Sequence, residues 1–211
     1  QITTPIKPVE LPDEISSLLA DSAASNQQEV DYDLVEDYRI VGYLFEPGKP
    51  KKYTIRRKLT VLTTAGVDSA STLSVPFSPL VEHVFVNKLA VFNRAGKQVA
   101  EGSLEDYYVL DDADSSEASE DRRVYLPVPN LKPGYSIELE FTLQDYSSSD
   151  EINYERYYLV ASHPLRLGAV FVAGDLTNLK HASSGLSYQQ VNPNLQFWSV
   201  QNPIVFEIED F

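Results

Sequence analysis

The stretch from Tyr107 to Leu143 constrains the fold more than any other part of this sequence. A strand-like run enters an acidic, serine-rich loop and returns as Arg-Arg-Val-Tyr-Leu-Pro at Arg122–Pro127. A Lys-Pro-Gly turn follows at 132–134, and polar and apolar residues then alternate from Tyr135 to Leu143. A period of two is typical of a strand with one buried face. The stretch therefore predicts antiparallel β architecture.

Runs with the same period cover most of the remaining chain, and turn signals such as Glu46–Pro50 and Asn93–Lys97 separate them. Further predicted strands are 37–45, 52–63, 71–75, 152–162, 165–172, 187–190, 196–200 and 204–208. Residues 81–93 hold one or two strands, and residues 99–110 continue the meander. The sequence offers no helical crossovers between them, which excludes a βαβ fold. We therefore predict an all-β fold: a two-sheet antiparallel β-sandwich with a short N-terminal helix, with a barrel as the alternative.

The N-terminal part of the chain has a different pattern. Three prolines within the first twelve residues indicate an extended linker. Ile15, Leu18 and Leu19 then have the spacing of one helical face. A helix this short is unstable alone in water, so it should dock on a neighbouring surface or fray. We divide the chain into residues 1–36, a linker and short helix, and residues 37–211, the β-sandwich domain.

Composition excludes several classes of protein. The net charge of −14 argues against nucleic-acid binding, which needs clustered Lys and Arg. The basic cluster at Lys49–Lys58 is interpreted as a solvated sheet face, with an anionic ligand as the alternative. The absence of Cys excludes disulfides and thiol nucleophiles. Because residue 1 is not Met, we expect the sequence to be a piece of a longer protein. No run of consecutive residues is long and apolar enough for us to expect membrane insertion.

The acidic loop contains part of a metal-binding pattern. Asp112, Asp114 and Ser116 have the spacing of the first ligands of a calcium loop. The glycine and the glutamate that such a loop needs further on are replaced by Glu117 and Arg123. We therefore predict a solvated hairpin tip and no metal, with Asp112 and Asp114 as weak candidates. The three histidines, His83, His163 and His181, lack partners at metal-ligand spacing.

No catalytic site is evident in the sequence. There is no Gly-x-Ser-x-Gly elbow, and the Ser184-Gly185 pair near His181 has no acid close to it in sequence. Paired carboxylates for glycoside cleavage remain open because they are a spatial feature. Glu138 and Glu140 share one face of a strand, which we expect to be the wet face. We expect no catalytic residue, no enzymatic activity and no cofactor.

Aromatic residues are the remaining candidates for binding. Thirteen Tyr, nine Phe and one Trp suit a β-sheet interior and its faces. The alternative to packing is a carbohydrate-stacking surface, for which the candidate binding residues are Tyr107, Tyr154, Tyr157 and Trp198.

Several short motifs occur in the order found in a known family. They include Val86-Asn87 before Val91–Lys97, then Asp111-Asp112, Arg122–Pro127 and Lys132–Gly134. Later ones are Tyr157-Tyr158, Ser162–Arg166, Phe197-Trp198, Asn202–Ile204 and Phe206-Glu207. From Tyr38 onward the chain resembles DUF3857, the domain usually found before a transglutaminase-like domain in secreted or membrane-associated bacterial proteins.

The resemblance implies a β-sandwich without catalytic residues of its own, because in the family the Cys-His-Asp chemistry belongs to the following domain. It also implies an extracytoplasmic location, periplasmic or secreted, and an adjacent C-terminal transglutaminase-like domain as partner. We therefore expect an accessory module that helps to position a substrate and that takes a protein or glycan ligand. The alternative is a stand-alone glycan- or peptide-binding module.

Overall fold

The computed structural model describes residues 2–3, 6–25, 31–111, 122–147, 157, 159, 162–203 and 205. Its helices are α1 (Asp13–Ser25) and α2 (Thr64–Ala70), with a 3₁₀ turn at Leu104–Asp106. The first six strands are β1 (Ile2–Thr3), β2 (Leu34–Phe45), β3 (Lys51–Val61), β4 (Thr72–Phe77), β5 (Glu82–Phe92) and β6 (Gln98–Glu101). The others are β7 (Tyr108–Asp111), β8 (Arg122–Pro127), β9 (Ser136–Asp145), β10 (Leu165–Gly174), β11 (Ser187–Asn192) and β12 (Leu195–Gln201).

The described strands form two sheets, which confirms the predicted all-β, two-sheet fold with a short N-terminal helix. The large sheet has the order β1-β5-β9-β3-β2-β10-β12-β11, with β6 also paired to β5, and the small sheet has the order β4-β8-β7. Most pairings are antiparallel, whereas β1 pairs with β5 and β2 pairs with β10 in parallel. The β2–β10 pairing joins segments far apart in sequence, which local alternation could not predict.

The two sheets enclose the main hydrophobic core. Strands β3, β5 and β9 contribute alternate apolar side chains, including Val61, Val84 and Ile137, to one face of the large sheet. Val75 and Leu126 of the small sheet pack onto them. The alternation along β9 buries Ile137, Leu139 and Phe141, as the sequence predicts, and leaves Glu138 and Glu140 on the opposite, partly exposed face.

The stretch from Tyr107 to Leu143 connects the two sheets. Strands β7 and β8 pair antiparallel, with Tyr108 opposite Tyr125. Strand β9 then belongs to the large sheet, so the Lys132–Gly134 turn carries the chain from one layer to the other. Gly134 adopts a φ of 85° and donates its N–H to the carbonyl of Val61 at 2.7 Å. A positive φ here favours glycine because a Cβ would be strained.

Sequence patterns misjudged two local features. Residues 65–68, which separate the predicted strands 52–63 and 71–75, lie in helix α2, whose N-cap Thr63 accepts the N–H of Gly66. Pro76, which directly follows the predicted strand 71–75, lies within β4. Proline is tolerated there because β4 is an edge strand of the small sheet. The predicted strands 152–162 and 204–208 lie mostly outside the described residues.

The N-terminal segment packs on the second face of the large sheet. Val9 and Ile15 are 2% and 0% exposed, and they contact a cluster that includes Ile40, Phe171 and Phe197. The division of the chain at residue 36 stays a prediction, but residues 6–25 are packed against the sheet that follows them. Among the described residues, no helix has the length and apolarity required to cross a membrane.

Polar contacts also hold this segment in place. The N–H of Val9 donates to Thr54 Oγ1 at 2.8 Å, and Arg56 donates to the carbonyl of Val9 at 2.7 Å. Thr54 in turn contacts Thr142 Oγ1 at 2.8 Å, and both threonines are buried. Buried hydroxyls need such partners because an unpaired one costs about 1–3 kcal/mol. The segment before α1 therefore completes a polar layer on this sheet face.

Candidate functional site

The basic strand β3 faces carboxylates on its neighbours. Arg56 Nε donates to Glu140 Oε2 at 2.8 Å, and Lys51 Nζ lies 3.1 Å from Asp145 Oδ2. Lys58 Nζ lies 4.0 Å from Glu138, which also pairs with Lys88. The interpretation of this cluster as a merely solvated face was therefore incomplete. Its charges are compensated within the sheet, because cross-strand neighbours of opposite sign attract each other.

Glu36 forms the most concentrated charge cluster of the described chain. Its side chain is 0% exposed and accepts hydrogen bonds from Arg39 Nε at 3.0 Å and Arg57 Nε at 2.6 Å. His163 Nε2 lies 3.1 Å from the second carboxylate oxygen, and the carbonyl of Pro164 accepts the N–H of Glu36 at 2.8 Å. Strands β2 and β3 and the segment before β10 thus converge on one carboxylate.

Two opposing effects set the pKa of Glu36. Burial raises it, but the hydrogen bonds from His163 and Arg39 and the charge of Arg57 outweigh burial and hold the pKa far below the usual range. Glu36 is therefore ionised at neutral pH. With every carboxylate oxygen already bound to a cation, the cluster acts as a charged tie between three segments rather than as a general base.

The pH dependence of stability follows from this lowered pKa. The unfolded chain takes up a proton on Glu36 near pH 4.5, whereas the folded chain does so only at lower pH. The stability contributed by Glu36 is thus complete above pH 4.5 and is lost as the pH falls from there towards the folded-state pKa. We expect urea midpoints to fall on acidification and to fall less steeply in Glu36→Gln. Equal pH dependence in both chains would contradict this origin.

An aromatic cluster lies on the same sheet face. Tyr43 stacks on Tyr53 at 5.2 Å between ring centroids and meets Tyr157 edge-on at 5.8 Å. The hydroxyl of Tyr43 donates to that of Tyr157 at 2.5 Å, and the hydroxyl of Tyr53 donates to Glu82 at 2.9 Å. These rings combine apolar packing with paired hydroxyls, as partly buried tyrosines do. Tyr157, a predicted binding residue, retains an exposed ring portion.

A second aromatic cluster lies near the edge of the large sheet. Trp198 on β12 is opposite Tyr188 on β11, with ring centroids 5.4 Å apart. His181 contacts both rings, at 4.9 Å from Trp198 and 4.7 Å from Tyr188. Trp198, another predicted binding residue, is only 7% exposed, and its Nε1 is buried without a hydrogen-bond partner. Tyr188, which the sequence patterns did not single out, and His181 are the exposed rings of this cluster.

Tyr107 lies apart from both aromatic clusters. It caps the 3₁₀ turn, packs against the main core and lines a cavity of about 360 Å³ with Lys88, Glu101 and Leu104. Burial, with the charges of Asp106 and Glu101, raises the pKa of Tyr107 to about 12. The phenol is therefore neutral at ordinary pH. The three described binding candidates thus occupy different surroundings and do not form one strip.

The remaining candidates are placed as follows. Tyr154, Asp112 and Asp114 lie outside the described residues. Within the described ranges, no group of three or more His, Asp or Glu side chains is arranged to hold a metal ion. His83 packs against Tyr146 with ring centroids 4.9 Å apart. Each histidine therefore has an aromatic or carboxylate neighbour that accounts for its position.

The described residues thus define a two-sheet β domain that carries clusters of aromatic rings on its strands. The family model of DUF3857, a domain of unknown function with a solved structure, matches residues 49–200. The chain therefore belongs to the DUF3857 family, as the resemblance implied. Among curated proteins, none is significantly similar to it.

The fold is similar to that of a solved structure. The crystal structure of a candidate protease from Parabacteroides distasonis superposes with a TM-score of 0.67 at 11% identity, over 85% of this chain and 37% of that chain. A zinc metallopeptidase of the M1 family from Deinococcus radiodurans gives a TM-score of 0.39 at 12% identity, over 80% and 39%. A family 3a carbohydrate-binding module from Clostridium thermocellum gives a TM-score of 0.34 at 10% identity, over 63% of this chain and 82% of that chain. The last two scores are too low to indicate a shared fold.

Proposed function

We propose that this domain is a non-catalytic accessory module of a longer, extracytoplasmic bacterial protein. In this proposal it precedes a transglutaminase- or protease-like domain and helps to position that domain's substrate. The observation that carries the proposal is the match to the candidate protease, in which the shared fold occupies 37% of a longer chain. In the proposed longer protein, the catalytic residues would then lie outside this module.

The chemistry of the described residues supports this assignment. Glu36, the carboxylate with the most displaced pKa, is fully engaged by Arg39, Arg57 and His163. Tyr107, a predicted binding residue whose pKa is raised to about 12, is a neutral phenol at ordinary pH. Neither is poised to exchange a proton near neutral pH, as a general acid or base must. By contrast, exposed aromatic rings such as Tyr188 are suited to contacts with another chain.

The test compares the full-length protein with a variant that lacks residues 1–211. We expect KM for a folded or polymeric substrate to rise at least about tenfold, because positioning is lost, with little change for a small chromogenic substrate. Unchanged kinetics on both substrates would overturn the positioning role. Turnover of either substrate by residues 1–211 alone would overturn the non-catalytic assignment.

A stand-alone glycan-binding module is the second candidate. It is favoured by Tyr108, which is 45% exposed on the outer face of the small sheet and stacks on Tyr125 at 5.3 Å between centroids. Stacked, exposed rings are suited to sugar faces. Binding of residues 1–211 to a glycan array, without any effect of the domain on a following enzyme, would favour this candidate over the accessory module.

A further inference from the structure

Among the described residues, β11 is an edge strand of the large sheet with its outer side unpaired. Strand β11 stands at one end of the strand order, and its only pairing among the described residues is with β12. At the opposite end, β5 is covered by β1 and β6. An edge strand presents a row of backbone N–H and C=O groups that can pair with another chain.

The composition of β11 lacks two of the features that normally block such pairing, charge and proline. Its sequence, Ser-Tyr-Gln-Gln-Val-Asn, contains no charged residue and no proline, although the whole chain has 31 acidic and 17 basic residues. Natural edge strands are usually protected by charges, proline, bulges or short length. Here the register shift lies between Gln190 and Asn192, at the end of a six-residue strand. Most of its side chains are exposed.

The side chains beside this edge offer a contact surface to an added strand. Tyr188 is 43% exposed and rests against Trp198 and His181, so its ring is held in place. A strand paired with β11 would lie about 4.8 Å away and would direct alternate side chains to the Tyr188 face. Backbone hydrogen bonds would then provide the affinity and Tyr188 the preference for particular side chains.

We propose that the outer edge of β11 binds an extended, basic polypeptide segment by β-strand addition. This inference rests on the proposed function and names the class of substrate that the module positions. Charge selects this occupant over a second copy, because two chains of net charge −14 repel each other. The net negative charge of the chain attracts a basic segment. Strand β11 itself carries no charge that would oppose backbone pairing.

The test uses residues 1–211 and a synthetic peptide of about ten residues, with alternating Thr and Val between terminal lysines, long enough to span β11. Amide hydrogen exchange of β11 is followed by NMR as the peptide is added. We expect alternate amides of β11 to exchange at least about tenfold more slowly, because only every second N–H of an edge strand points outward. The matched control is the same peptide N-methylated at alternate residues on its pairing edge, which should give no protection.

Two variants of an exposed residue test the charge argument without altering the core. Gln190→Lys should weaken binding of the basic peptide at least about fivefold, whereas Gln190→Glu should bind it as well as or better than the unmodified chain. Tyr188→Ala should weaken binding while leaving the alternating protection pattern intact. Equal affinity of the two Gln190 variants would contradict selection by charge.

Other outcomes overturn the proposal directly. Equal binding of the N-methylated peptide would exclude backbone pairing, and no protection at millimolar peptide would exclude the site. Protection of β11 that grows with protein concentration in the absence of peptide would assign the edge to a second copy. If the peptide fails to bind but deletion of residues 1–211 still raises KM in the full-length protein, only the peptide site falls and the accessory function stands.

Discussion

Replacing Glu36 with glutamine is expected to lower the free energy of unfolding by about 3 kcal/mol. Removing one partner of a buried ion pair typically costs about 3–5 kcal/mol because the other charge stays behind uncompensated. The expected value lies at the lower end because Arg39 and Arg57 keep 21% and 24% of their side-chain surface exposed to water. Urea denaturation at neutral pH measures the effect.

The matched control for this substitution is Glu46→Gln. Glu46 also lies three residues from its cationic partner, Lys49, at 2.9 Å, but both side chains are largely exposed. Exposed pairs of this kind contribute little, so we expect no measurable change in the urea midpoint. If Glu36→Gln also left the midpoint unchanged, the cluster would not be a tie between β2, β3 and the segment before β10.

Deleting the N-terminal segment is expected to have an even larger effect. Burying a Val or Ile side chain fully contributes about 1.5–3 kcal/mol each, so removing Val9 and Ile15 should cost roughly 3–6 kcal/mol. That is a large part of the roughly 5–15 kcal/mol by which a domain is stable. We therefore expect residues 31–211, which retain Glu36, to show a much lower urea midpoint and to bind a hydrophobic dye through the uncovered sheet face.

The same experiment tests the sequence-based boundary at residue 37. A chain of residues 37–211 loses Glu36 in addition to the segment, so it should be less stable than residues 31–211. Equal urea midpoints for residues 1–211 and 31–211 would show that the contacts of Val9 and Ile15 do not stabilise the sheet. The strand pattern alone would then define a domain that is stable without the N-terminal segment.

The sequence determined the strands and their faces. Along β9, alternation predicted that Ile137, Leu139 and Phe141 would be buried, because successive side chains of a strand point to opposite sides. The Lys132–Gly134 turn and the β7–β8 pairing were also predictable, because both depend on residues that lie close in sequence. Family membership also followed from short motifs in order along the chain.

Only the tertiary structure decided what each face meets. Glu36 and His163 are brought together because β2 and β10 pair in parallel, and no local pattern encodes that pairing. Trp198 was a candidate surface residue, yet it is buried beside the exposed side chain of Tyr188. Strand alternation selects a side of the sheet, whereas burial and open edges depend on which distant segments cover that side.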